Sequence, residues 1–420
     1  MNLSQILLFG GLVLLVGLFG RLLQQRTKLP ESIFLILFGV LLGPILEIIP
    51  ASEVLPFVPL VSTLALIVIL LESGLSFEAH KLDYTLRSAI FLILLVGALT
   101  TIFVGGALHY VFGWEIYSAL LIGLISSGTT TLTARTLLES TNADPHVRKI
   151  ITLETIFNDI TIVVGTMVLI EFMLSGQGGL AVPLRTIMSQ FSVAIVLGAI
   201  FGWIWKGAME RLSGIKGLRY ISTLGFCLTL YYIAEAVGGN PVLSIFAFSL
   251  VLGNHAKLHQ HLFPSFQNQF APALSQIKKV QGDFTFFMRS FFFFLLGVSF
   301  SFGLLAGPIP LIVFLIIAII LASRFISTSL LSLADPDVGR FRMLMTVMIP
   351  RGFVATVLAF VPAQRGIVIP LLTEIVLLLV FATTFVSIAG TFIYNLRTPN
   401  QAAKANPLIS HLKPGKKKSS

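Results

Sequence analysis

The chain has 420 residues, 56% of them hydrophobic and only 11% charged, with a mean hydropathy of +0.95. A soluble domain carries about 25% charged residues, so this composition excludes one and points to a polytopic membrane protein. The net charge of +10 suggests nucleic acid only until its distribution is read, and the single cysteine excludes an internal disulfide framework.

A membrane helix needs about 20 apolar residues, and shorter ones serve inside bundles. Thirteen spans follow in order, at 3–23, 32–49, 55–75, 88–112, 116–138, 149–174, 184–205, 220–236, 241–253, 286–304, 308–333, 342–361 and 367–393. The first lacks a basic leader and a small-residue cleavage site, so it is read as a retained span. Residues 258–280 read as an amphipathic cytoplasmic connector, and 396–420 as a disordered basic tail beside anionic lipid.

Lysine and arginine alternate from loop to loop. Odd-numbered loops and the tail carry 23 of them, Arg289 included, whereas even-numbered loops carry only Arg185 and Arg365. This bias places the N-terminus outside and the C-terminus in the cytoplasm, and it accounts for the basic charge without nucleic acid.

Two halves recur seven spans apart. Ser32-Ile-Phe-Leu in span 2 returns as Ser244-Ile-Phe-Ala in span 9, and Leu70-Leu-Glu-Ser-Gly returns as Leu295-Leu-Gly-Val-Ser. An odd offset inverts the second copy, which is the inverted-repeat plan of secondary transporters. Span 5 is interrupted by Ser126-Ser-Gly-Thr-Thr-Thr-Leu-Thr133, and span 12 by Ile349-Pro-Arg-Gly-Phe353. Gly128 and the clustered β-branched hydroxyls are poor helix formers. Pro350 removes an amide donor, and Gly352 loosens the backbone beyond it. Irregular backbone at membrane depth is tolerated only where it is buried in protein or lines a cavity. Two ordinary kinks are the plainer alternative, but breaks at matching places in two repeats point to a transport site.

The densest polar stretch is Thr152-Leu-Glu-Thr-Ile-Phe-Asn-Asp-Ile-Thr161, inside span 6. Asp159 falls about ten residues in, roughly 15 Å along a helix and near the middle of the hydrocarbon. An acid there costs about 2.5–3.5 kcal/mol to insert and marks function by default. Helical spacing puts Thr152, Thr155 and Asp159 on one stripe and Glu154 and Asn158 on its neighbour. A carboxylate backed by hydroxyls can ligate a hard cation through oxygen, or take a proton instead. Glu154 needs a cationic partner, for which Arg324 and Arg351 are candidates.

Glu154-Thr-Ile-Phe-Asn-Asp159 resembles the Glu-Ser-Leu-Phe-Asn-Asp signature of monovalent cation/proton antiporters of the NhaP and sodium/proton exchanger branch. Leu29-Pro-Glu-Ser…Leu-Leu-Gly-Pro44, Leu70-Leu-Glu-Ser-Gly-Leu75, Gly238-Gly-Asn-Pro…Leu-Val-Leu-Gly-Asn254 and Arg351-Gly352 match as well. The resemblance covers nearly all of residues 1–395. It implies an all-α fold of thirteen transmembrane helices, built as two inverted six-helix repeats with crossed discontinuous helices. A transport core at about 55–174 and 286–393 would move against a dimerisation scaffold at about 1–50 and 184–255. It further implies a homodimer in a prokaryotic plasma membrane and electroneutral exchange of one monovalent cation for one proton, with no cofactor.

Residue by residue, the resemblance makes Asp159 the carrier of cation or proton and Asn158 its structural neighbour. Thr155 becomes a hydroxyl ligand, Thr129 a backbone ligand at the crossing and Glu72 an acid in the cytoplasmic funnel. Glu154 would pair with Arg324, while Gly128, Pro350, Arg351 and Gly352 form the helix breaks. One departure matters: the family reads Ala-Thr-Asp-Pro in span 5, where this chain has Gly128-Thr-Thr-Thr131. Thr130 thus replaces an acid that offsets the positive helix ends. Sodium is the expected cation, with potassium the alternative that a weaker field would favour. Arg135 and Glu374 are also unusual and are expected to pair with one another. His255, His259 and His261 are candidate pH sensors, against the plainer reading of a solvated loop. The Phe284…Phe294 cluster reads as packing or lipid surface. No His-Glu-x-x-His and no P-loop occurs, so proteolysis and ATP-driven transport have no motif and no enzyme is expected. A cation channel or uniporter is the other functional class these features allow.

Overall fold

A backbone solvated by lipid must satisfy its own amides and carbonyls, and a helix does so within one segment. In the computed structural model the described residues are 3–27, 29–77, 84–175, 181–211, 219–262, 271–305 and 307–397, and among them no strand occurs. The helices begin with α1 (Leu3–Thr27), α2 (Glu31–Val40), a short α3 (Ala51–Val54), α4 (Val58–Ser76) and α5 (Tyr84–Phe112). Then come α6 (Ile116–Ser127), α7 (Thr131–Glu139), α8 (Pro145–Leu174), α9 (Ala181–Arg211), α10 (Arg219–Ala236) and α11 (Pro241–Leu262). The chain continues through α12 (Ala271–Val298), α13 (Ile309–Ala334), α14 (Pro336–Val347), α15 (Phe353–Leu358), α16 (Val361–Gln364) and α17 (Leu372–Arg397). Each expected span overlaps a helix or a broken pair of helices, and among the described residues eight helical segments are long and apolar enough to cross a membrane by themselves. Outward side chains such as Leu15, Leu94, Ile102, Met188 and Phe314 are exposed, as lipid-facing positions require.

Local chemistry sets the ends. Asp144 caps α8 by accepting from the His146 amide at 2.8 Å, with Pro145 at the first helical position. This cap starts the helix four residues before the expected boundary at 149. Glu115 caps α6 through the amides of Tyr117 and Ser118 at 2.9 and 2.6 Å. At its far end α2 relaxes into a π-helical turn, Leu41–Ile45, around Pro44, which has no amide to donate.

Span 10 differs most from expectation. Its helix begins at Ala271, not 286, because the expected connector is itself helical where described. Residues 258–262 end α11 and 271–280 open α12, while 263–270 lie outside the described residues. Ile277, Gln281, Thr285 and Met288 are buried on one face, while Lys279 and Asp283 on the other are exposed. Arg289, counted above among loop cations, therefore belongs to helix α12, and its side chain is largely buried.

Close helix contacts organise the bundle. A Cβ added at Gly297 of α12 would sit 2.9 Å from Gly39 Cα of α2, and one at Gly253 of α11 would sit 2.7 Å from the Gly74 carbonyl of α4. Lipid offers no hydrophobic drive between helices, so such small-residue seams bring backbones into van der Waals contact. Thus α4 and α12, expected in the moving core, pack against α11 and α2, expected in the scaffold. Phe292 and Phe293 of α12 pack at 5.4 and 5.7 Å on Phe353 beside the second break. A separate apolar cluster joins α5, α7, α8, α13 and α14 around Leu137, Ile150, Ile151, Leu344 and Met345. There His146 also pairs with Asp335 at 2.8 Å, tying the start of α8 to the α13–α14 junction.

Candidate functional site at two crossed helix breaks

Helix α6 stops at Gly128 and α7 starts after Thr130, with both residues extended (ψ 128° and 131°). Helix α14 stops at Met348 and α15 starts after Gly352. The two breaks cross, and several of their free backbone groups find partners there. The Thr130 amide donates to the Pro350 carbonyl at 2.9 Å. Arg351 Nη1 donates to the Gly128 carbonyl at 2.9 Å, placing a cation at the negative end of α6. Hydroxyls of α17 take over the other lost contacts: Ser387 accepts from the Ile349 amide at 3.1 Å and Thr383 from the Arg351 amide at 3.2 Å. Asn158 of α8 completes the frame, donating to the Ser127 carbonyl at 3.3 Å and to Thr129 Oγ1 at 3.2 Å.

The crossing is tight at one point. A Cβ at Gly352 would collide with the Thr130 side chain, whose Oγ1 would be only 2.6 Å away. Gly352→Ala is expected to reduce folded yield and exchange together, and Thr130→Gly in that background to recover part of both. Size-exclusion profiles and proteoliposome assays read the two quantities. A fully active Gly352→Ala protein would contradict this account of the crossing.

Around this frame the expected residues fall as follows. Thr155 is buried and its hydroxyl donates to the Thr152 carbonyl at 2.9 Å, which leaves its oxygen able to accept or ligate. Asp159 is half-buried, and among the described residues its carboxylate makes no hydrogen bond or ion pair. Glu72 of α4 is an electrostatic neighbour of Asp159. Glu154 and Arg324 form a two-pronged pair, with Nη1–Oε1 2.5 Å and Nη2–Oε2 2.8 Å, and are 0% and 1% exposed. Arg324 Nε also donates to the Met345 carbonyl at 2.6 Å, linking α8, α13 and α14. Thr129 takes part through its side chain, by its contact with Asn158.

The expected pairing of Arg135 with Glu374 is corrected. Arg135 turns to Glu139, one helical turn on at 3.4 Å, with both side chains well exposed. Glu374 accepts from Thr373 at 2.8 Å. Arg135 sits on the outer face of a nine-residue half-helix, so it needs no partner across the bundle. Nothing is described of the side chains of His255, His259 and His261, and residues 398–420 lie outside the described part. Sequence reasoning missed Thr383 and Ser387. Their four-residue spacing on α17 was the available signal, and the break they serve lies more than thirty residues away.

A family model described as "Sodium/hydrogen exchanger, transmembrane" matches residues 11–394. The chain is 28% identical over 267 residues to the K(+)/H(+) antiporter NhaP2 of Shewanella sp. (strain ANA-3), covering 62% of this chain and 46% of that one. It is 27% identical over 300 residues to the Probable Na(+)/H(+) antiporter 2 of Methanocaldococcus jannaschii, covering 67% and 66%. The alignments thus span about half to two thirds of those relatives. Among solved structures, the sodium proton antiporter MjNhaP1 from Methanocaldococcus jannaschii at pH 8 superposes with a TM-score of 0.73 at 21% identity, covering 96% of this chain and 99% of that one. The fold is therefore that of this antiporter structure. With the signature on α8, the crossed breaks and a family match over nearly the whole length, the chain belongs to the transmembrane sodium/hydrogen exchanger family of cation/proton antiporters.

Proposed function

We propose that the protein exchanges a monovalent cation for a proton by alternating access, with Asp159 as the single site both use in turn. The observation that carries this reading is the carboxylate of Asp159, unpartnered among the described residues and half-buried on α8 beside the crossing of the two helix breaks. An empty, ionised Asp159 is costly to move through a lipid-bounded core, whereas either a cation or a proton neutralises it. Return without cargo is thereby suppressed, so exchange is obligatory and one charge moves each way. Thr155 and Thr129 offer oxygen ligands, Asn158 holds the crossing, and the Glu154–Arg324 pair with Arg351 fixes the frame. Glu72 on α4 draws cations towards the site. The core, about 55–174 and 286–393, moves against the scaffold, about 1–50 and 184–255, with α4 and α12 at the seam. Thirteen crossings, an outside N-terminus, a cytoplasmic C-terminus and a homodimer in a prokaryotic plasma membrane complete the proposal.

Sodium is the proposed cation and potassium the second reading, favoured by Thr130 in place of an acid. Cation-driven proton movement in proteoliposomes, measured with sodium, potassium and lithium in turn, tests both. Thr130→Asp is expected to raise the sodium-to-potassium rate ratio. Because cation and proton compete, acidification should raise the apparent KM for the cation, by up to about tenfold per pH unit, with an unchanged maximal rate. A KM independent of pH, or current without counter-transport in bilayer recordings, would overturn exchange at one acid.

A further inference from the structure

Gln281, Thr285 and Arg289 repeat at four-residue spacing along α12 and so share one face. Gln281 Nε2 donates to the Val68 carbonyl of α4 at 2.8 Å and to Thr285 Oγ1 at 3.2 Å. Thr285 in turn lies beside Glu72 of α4. Arg289 lies between two acids on different helices. Its Nε is 3.2 Å from Glu31 Oε1 at the start of α2, and its charge also acts on Glu72. The Arg289 and Glu31 side chains are 18% and 3% exposed. Their contact has ion-pair distance without hydrogen-bond geometry, because Glu31 Oε1 and Arg289 Nε are both buried with no hydrogen bond. Beside them lies a cavity of about 220 Å³, bordered also by Gln24 and by Thr136 and Glu139 of α7. A guanidinium held this loosely, next to open space, is free to move.

We propose that Arg289 is a tethered cation that competes with the transported cation for Glu72, and that Glu31 sets the strength of this competition by drawing the guanidinium to itself. This rests on the reading that Glu72 serves the approach to Asp159. While Arg289 stays with Glu31, Glu72 keeps its charge available to an incoming ion. When Arg289 is released, it neutralises Glu72 and the approach weakens. Arg289 is thus a positioning residue for affinity. Its place on the seam between α2 and α4 lets sliding of the two groups change which acid it favours.

The test is cation uptake kinetics in proteoliposomes at fixed pH, with sodium and potassium in parallel. Arg289→Gln is expected to lower the apparent KM by roughly threefold or more, and Glu31→Gln to raise it by a similar factor. The double variant should follow Arg289→Gln, because Glu31 acts only through Arg289. Arg289→Lys keeps the charge and should return KM above that of Arg289→Gln. In a Glu72→Gln background, Glu31→Gln should change nothing, a comparison that holds even where Arg289→Gln folds poorly. Shifts of the same sign in both single variants, a double variant resembling Glu31→Gln, or a KM change without Glu72 would overturn the proposal. Loss of exchange confined to Asp159 variants leaves the antiport reading standing, so the two ideas fail separately.

Discussion

Asp159→Asn is expected to reduce cation-driven proton movement to background while leaving the protein folded. The substitution keeps size and polarity but removes the only state that attracts a cation or exchanges a proton. Asp159 makes no hydrogen bond or ion pair among the described residues, so no structural contact is lost. Removing a charge from a poorly solvated position also lifts its desolvation cost. The thermal midpoint in detergent should therefore hold or rise. Asn158→Ala makes the contrast: it deletes the donor to the Ser127 carbonyl and to Thr129 Oγ1 and should lower both stability and exchange. Proteoliposomes of Asp159→Asn that still exchange cation for proton would remove the mechanism.

The second large effect is on stability. Glu154→Leu leaves the Arg324 guanidinium buried at 1% exposure with no carboxylate, keeping only its bond to the Met345 carbonyl. Breaking a buried pair by losing one partner costs about 3–5 kcal/mol, because the other charge stays behind uncompensated. Arg324→Leu should cost as much, stranding Glu154 at 0% exposure. Replacing both with leucine is expected to cost less than the sum of the singles, since neither charge is then stranded. Thermal unfolding of the four proteins gives the coupling directly, and strict additivity would show that the pair does not stabilise the core. Arg351 stands in the electrostatic field of this pair. Its grip on the Gly128 carbonyl should loosen when Glu154 alone is lost, because Arg324 then repels it without compensation, lowering exchange beyond the loss of folded protein.

Much of the architecture could be read from residues alone. Apolar runs had to become helices, because lipid gives a backbone no other partner. Gly128, Pro350 and Gly352 marked where two helices break, since a helix interior tolerates neither a missing amide donor nor glycine's freedom without cost. The Asn158–Asp159 pair stood out because acids at that depth are expensive. What tertiary structure alone decided was which polar groups meet. Arg351 reaches the Gly128 carbonyl across 223 positions of the chain, and Glu154 meets Arg324 across 170. Arg135 turns outward to Glu139, and Arg289 lies inside helix α12 near two acids on other helices. Each outcome depends on the rotation and crossing of whole helices. Periodicity fixes an apolar face but, in lipid, does not say whether that face meets acyl chains or a neighbouring helix, because both are equally apolar.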